Sequence, residues 1–146
     1  MKMFSYVVAL DYGFAPNPFH GICTLATCKP QIRNQASVGD WIVGTGSKPK
    51  GYEDRLIFAM YVSEKLTFDE YWSDARYQCK KPNLTGSLKQ RFGDNIYHQD
   101  RMTGSWIQED SQHSLQGGKL NLKNLRRDTN SKFVLVGKTF VYYGRE

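Results

Sequence analysis

Little in this chain announces a specialised architecture. It has three cysteines, three histidines and five prolines in 146 residues. No apolar run approaches a membrane-spanning length. An odd cysteine count without a secretion signal argues against a disulfide framework and fits reduced thiols in a cytoplasmic protein. Cys23 and Cys28 form one spaced pair with no second pair to complete a structural zinc site, so no metal or cofactor is expected. No glycine-rich stretch has the spacing of an ATP-binding loop. Ser111 and Ser114 lack the strand–turn–helix context that exposes a serine nucleophile. Repeats and low-complexity tracts are absent, and the apolar start from Met1 to Leu10 meets Asp11 with no cleavage site, so it reads as a first strand rather than a leader.

What the chain does have is aromatic side chains and late positive charge. Nine Tyr, eight Phe and three Trp favour strands and also suit pockets that stack bases. The length fits one domain over residues 1–146. The net charge is +6, and residues 111–146 carry seven Lys or Arg against two Asp or Glu. That asymmetry fits a polyanionic partner, such as a nucleotide or DNA, as readily as a soluble basic surface.

Patterning gives an α+β order. Strands are expected at Phe4–Leu10, Ile22–Cys28, Trp41–Val43 and Arg55–Ser63, the last two as a long hairpin. Asp11 to Gly21 is a Gly- and Pro-rich loop, and one helical turn is expected within Gln31–Ser37. Phe68–Tyr77 is the clearest helix: Thr67 and Glu70 form a capping box, and Phe68, Tyr71, Trp72 and Ala75 share a face. Leu120–Asn130 reads as a loop with one helical turn. Phe133–Val136 and Thr139–Tyr143 read as closing strands joined by a tight turn at Gly137-Lys138. The fold class expected is α+β, a small and strongly curved mixed sheet or barrel with one or two helices.

Gly93 to Ser114 stands apart. It is polar and irregular, yet it holds His98, His113, Asp94, Asn95, Tyr97, Trp106, Gln108, Asp110 and Ser111. Long irregular segments of this kind are functional or disordered, and the aromatics argue against disorder. Asp94 with His98, and Asp110 with His113, are candidate acid–base pairs, because a carboxylate orients an imidazole and raises its basicity. Two other loops supply candidate walls. Tyr12, Phe14, Asn17 and Phe19 offer stacking and hydrogen bonding. Trp41, Thr45 and Ser47 lie at a Gly-rich turn followed by Lys48 and Lys50, where backbone N–H groups can cradle phosphate. Cys23 is a further candidate, as a nucleophile beside a histidine.

The stretches DYGFAPNPF (11–19), CTLATCKP (23–30), GDWIVGTGS (39–47), GDNIYH (93–98) and QEDS (108–111), with His113-Ser114, resemble the second class of nucleotide modification associated domains, found in phages and bacteria. A weaker resemblance, over residues 38–75, is to PUA-like barrels such as the EVE and YTH readers of modified bases. These resemblances imply a cavity for a nucleotide or modified nucleobase, free or within DNA. Asn95 and Gln108 would read base edges. Tyr97 or Trp106 would stack, and the histidines would contact phosphate or sugar. Two alternatives stay open: an enzyme that modifies a nucleotide or base with a His/Asp pair, and a phage protein that captures a free nucleotide signal.

Overall fold

Short apolar runs interrupted by Gly, Pro and Asp build the framework. The computed structural model describes residues 1–144. Its strands are β1 (Met3–Val8), β2 (Cys23–Leu25), β3 (Trp41–Gly46), β4 (Leu56–Tyr61), β5 (Glu64–Thr67), β6 (Tyr97–Gln99), β7 (Trp106–Gln108), β8 (Phe133–Gly137) and β9 (Thr139–Tyr142). The α-helices are α1 (Pro30–Gln35), α2 (Phe68–Ser73), α3 (Leu88–Arg91) and α4 (Leu122–Asp128), with 3-10 turns at Lys48–Lys50 and Ala75–Lys80.

The strands form three small sheets in the orders β1-β3-β4-β9, β2-β8-β5 and β6-β7. Only β1 and β3 run parallel among the described pairs, so the mixed sheet is present. The barrel is not: the sheets stay separate and are not strongly curled. The physical reason lies at Gly137-Lys138. The expected tight hairpin does not form, because β8 pairs with β2 and β5 while β9 pairs with β4. The chain changes sheets at this point instead of folding back on itself. The expected hairpin of β3 with β4 is present, with Trp41 opposite Tyr61 and a bulge near Gly44.

β8 explains the layering. Leu135 joins a core with Tyr6, Ile42, Phe58 and Met60, between the four- and three-stranded sheets. Val134 and Val136 point the other way, into a core with Phe68, Tyr71, Tyr97 and Leu125. A strand buried on both faces must be apolar throughout, as Phe133–Val136 is. The second core is covered by α2, β6 and α4. The capping box on α2 is present, with Glu70 N donating to Thr67 Oγ1 at 3.2 Å and Thr67 N donating to Glu70 Oε2 at 2.7 Å. That helix is shorter than its pattern suggests. It stops at Ser73, and Asp74 caps the following 3-10 turn by accepting from Arg76 N at 2.9 Å.

Candidate functional site

The last turn of α4 presents a carboxylate to the loop after β2. Asn121 caps the start of α4 by accepting from Asn124 N at 3.1 Å. At the other end Asp128 is fully buried. Its carboxylate accepts from Cys28 N at 2.8 Å, Tyr97 OH at 2.7 Å and Arg127 Nε at 3.1 Å. It also lies 2.6 Å from His113 Nδ1. A carboxylate on Nδ1 fixes the imidazole so that Nε2 faces outward. That nitrogen stands 3.7 Å from Cys28 Sγ. The main chain of His113 is held as well: its carbonyl accepts from Asn124 Nδ2 and Gln108 Nε2, and its N–H donates to Ser111 Oγ. Phe14 packs edge-on against the ring at 4.6 Å.

Charge follows from this wiring. Burial opposes protonation of His113, but its hydrogen bonds to Asp128 and Cys28 outweigh burial and hold the imidazole at a pKa of about 9. Burial likewise pushes Asp128 up, while His113 and Tyr97 outweigh it and keep the carboxyl below its ordinary range. At neutral pH the site therefore holds an imidazolium against a carboxylate.

The cysteine loop is fixed from behind. Cys28 and Lys29 both adopt left-handed backbone, φ 57° and 41°, a costly conformation for residues with side chains. Arg33, fully buried, holds it. Its guanidinium donates to Cys28 O at 2.7 Å, Asp128 O at 2.6 Å and Phe133 O at 2.9 Å. One side chain thus ties α1, the end of α4 and β8 together.

Cys28, His113 and Arg127 open onto a cavity of about 460 Å³, walled by Tyr6, Tyr12, Phe14 and Phe92 and rimmed by Lys29. The Tyr12 and Phe92 rings stack at 5.7 Å. Thiol, imidazole and carboxylate atoms lie within 4.8 Å of one another, a spacing a metal ion would accept. The Arg127 guanidinium argues otherwise. Its Nη2 lies 3.6 Å from Cys28 Sγ and 3.3 Å from His113 Nε2, where a bridging cation would meet like charge. Asp128 is also occupied by its four donors, so the residues suit proton and electron-pair chemistry better than metal binding.

Several sequence candidates converge here. Tyr12, Phe14 and His113 line the cavity, and Tyr97, Gln108 and Ser111 brace it from behind. The expected carboxylate partners are different ones. Asp110 is exposed and accepts from Ser114 Oγ at 2.7 Å, so His113 pairs with Asp128 instead. Asp94 is buried, accepting from Thr24 Oγ1 at 2.6 Å and Tyr71 OH at 2.7 Å, and does not pair with His98. His98 pairs with Glu109 at 2.7 Å and stacks on Trp72, beside a separate open groove that also contains Lys81 and Arg101.

The remaining candidates lie elsewhere. Asn95 clamps the carbonyls of Tyr71 and Tyr77, and Trp106 packs edge-on against Phe68. Asn17 is buried, donating to Phe92 O and accepting from Lys80 Nζ, and Phe19 lies against Gly13. Trp41 packs on Tyr61, while Thr45 lies in β3 and Ser47 follows it. The Gly-rich turn spends its N–H groups internally, Gly46 N on Arg55 O and Lys50 N on Ser47 O. Beside it is a void of only about 10 Å³, too small for phosphate. Cys23 is enclosed in the core, where burial pushes its thiol up to about 12. Cys28, Arg127, Asp128, Lys29 and Phe92 were not among the sequence candidates for a site. The signals available were the stretch CTLATCKP, which contains Cys28 and Lys29, and the late basic excess, which contains Arg127.

The family model for nucleotide modification associated domain 2 matches residues 1–146. The chain belongs to this family. No curated protein and no solved structure matches it. In this nucleotide modification associated domain, no helix among the described residues is long and apolar enough to cross a membrane.

Proposed function

We propose that this domain binds a nucleotide or modified nucleobase in the cavity beside Cys28 and His113, in the service of nucleotide modification. The observation that carries the reading is the cavity itself. Its volume of about 460 Å³ falls in the range of small-molecule sites. Its walls offer Tyr12, Phe14 and Phe92 for a base, and its rim offers Lys29, Arg127 and a protonated His113 for phosphate. The family description points to the same ligand class. A free nucleotide and a base within DNA share this chemistry.

Calorimetric titration with mononucleotides and with oligonucleotides carrying modified bases tests it. A mononucleotide or an oligonucleotide should bind, and Arg127→Ala should weaken binding about tenfold or more, the scale of a charge-assisted hydrogen bond. A folded protein that binds none of them would sink the proposal. The enzymatic reading is favoured by one specific observation, the 2.6 Å contact of His113 with Asp128, which aims Nε2 toward Cys28.

A further inference from the structure

We propose that Cys28 is a nucleophile that adds reversibly to C6 of a pyrimidine nucleotide held in the cavity; the inference rests on the nucleotide-binding reading. The three thiols differ sharply in surroundings. Cys23 is enclosed in the apolar core and Cys79 is exposed, with its Sγ 3.6 Å from Arg76 O. Cys28 alone faces the cavity, with an imidazole nitrogen at 3.7 Å and a guanidinium nitrogen at 3.6 Å. Both nitrogens lie close enough to hydrogen-bond the sulfur, and the imidazole is placed to exchange a proton with it. The His113 side chain is aimed by Asp128 and the loop is held by Arg33, so the arrangement is fixed before any ligand enters. A nucleophile, a base and an orienting carboxylate in line is the general arrangement of activated nucleophiles.

The chemistry of nucleobases selects the substrate class. Among base positions, pyrimidine C6 accepts a thiolate with no oxidant and no second substrate, because the C5–C6 double bond is conjugated to the C4 substituent. The S–C6 bond forms, the π pair moves toward the C4 oxygen or nitrogen, and C5 takes a proton delivered by the His113 imidazolium. Loss of a proton from C5 reverses the sequence: the π bond re-forms, the S–C6 bond breaks and the thiolate departs. Nothing is oxidised or reduced, and the net change is exchange of the C5 hydrogen with solvent. Arg127, beside Cys28 and His113, is the cation at hand for the charge that develops on the base, and Lys29 remains at the rim for phosphate. Addition at C6 makes C5 nucleophilic, the activated state that modification at C5 requires.

Two measurements on the intact chain test this. The first is alkylation by iodoacetamide near pH 6.5, read for each cysteine by mass spectrometry. Cys28 should react about tenfold or more faster than exposed Cys79, and an equal or slower rate overturns the proposal. The second follows the H5 proton signal of dUMP and dCMP in D2O, free and within an oligonucleotide. The expected result is loss of the signal with wild type and none with Cys28→Ser, while dAMP and dGMP keep all their protons over the same interval. Calorimetric binding without H5 exchange in either form removes this inference and leaves the binding reading standing. Absence of binding removes both.

Discussion

His113 Nδ1 stands 2.6 Å from Asp128 Oδ2, fifteen residues further along the chain. The pair joins the end of the polar segment to the end of α4 and sets the direction of the imidazole toward Cys28. Asp110 is nearer in sequence, but its carboxylate turns to Ser114 in the open. Burial of Asp128 decides the pairing, because a carboxylate taken from water must recover its hydrogen bonds from protein donors.

The pH dependence of stability follows from this pair. His113 titrates at about 9 when folded against an ordinary 6.5. A raised pKa stabilises the fold in full below the unfolded value, and that stabilisation is lost as pH rises through the folded one. Wild type should lose at most about 3 kcal/mol between those limits. Asp128→Asn should be less stable at neutral pH and nearly flat over the same window. In that variant the His113 ring proton should titrate well below 9 by NMR; an unchanged titration would exclude Asp128 as the cause.

The loop that carries Tyr12 and Phe14 depends on a buried lysine. Lys80 is almost fully enclosed, and its ammonium donates to Asn17 O, Asn17 Oδ1, Phe19 O and Ile22 O. Burial pulls its pKa down, and its charge opposes the rise that burial imposes on Asp94. Lys80→Met leaves these acceptors and Asp94 unanswered. The expected cost is about 3 kcal/mol or more by urea unfolding. A loss under 1 kcal/mol would mean that the loop is held by other contacts.

Elements set by local chemistry were legible in the sequence. Thr67 and Glu70 announce α2, and the apolar run from Leu56 announces β4. The β3-β4 hairpin was legible too, but the pairing of β8 and β9 was not, because they are separated by one residue yet belong to different sheets. Within the polar segment, β6 and β7 form a short hairpin where no alternation is visible, His98 lying opposite Ile107. The candidate site was half legible for the same reason. His113, Tyr12 and Phe14 stand in conspicuous polar or aromatic stretches. Cys28 and Asp128 look ordinary in sequence and acquire meaning only when the pairing of β2 with β8 brings them together at one end of the three-stranded sheet.

Gly44 is a packing requirement of the first core. A Cβ built there would lie 2.3 Å from the Phe58 ring and 2.7 Å from Val8 Cγ2. Both neighbours are buried and cannot move aside. Gly44→Ala should cost about 1–3 kcal/mol through overpacking. Combining it with Phe58→Leu should cost less than the sum of the two single changes, because the pair share one volume. Additive losses in a double-mutant cycle would place the strain elsewhere.

The two histidines of the polar segment give the sharpest contrast. His98 is stacked on Trp72 at 3.9 Å with the rings 12° apart, while Lys81 Nζ lies 3.5 Å from the centre of the same indole. Its contacts belong to the face of α2 and the β6-β7 hairpin, away from the cavity. His98→Ala should therefore cost about 1 kcal/mol of stability, the scale of one aromatic pair. It should change the affinity for a nucleotide by less than about twofold, since a change below 0.4 kcal/mol in binding is expected from a residue that touches no ligand. Asp128→Asn, acting on the charge of His113, should weaken binding of a phosphate-bearing nucleotide several-fold at neutral pH. The difference arises because the imidazolium on the cavity rim then loses its support. Loss of binding in His98→Ala, with Asp128→Asn unaffected, would move the ligand to the groove beside Trp72.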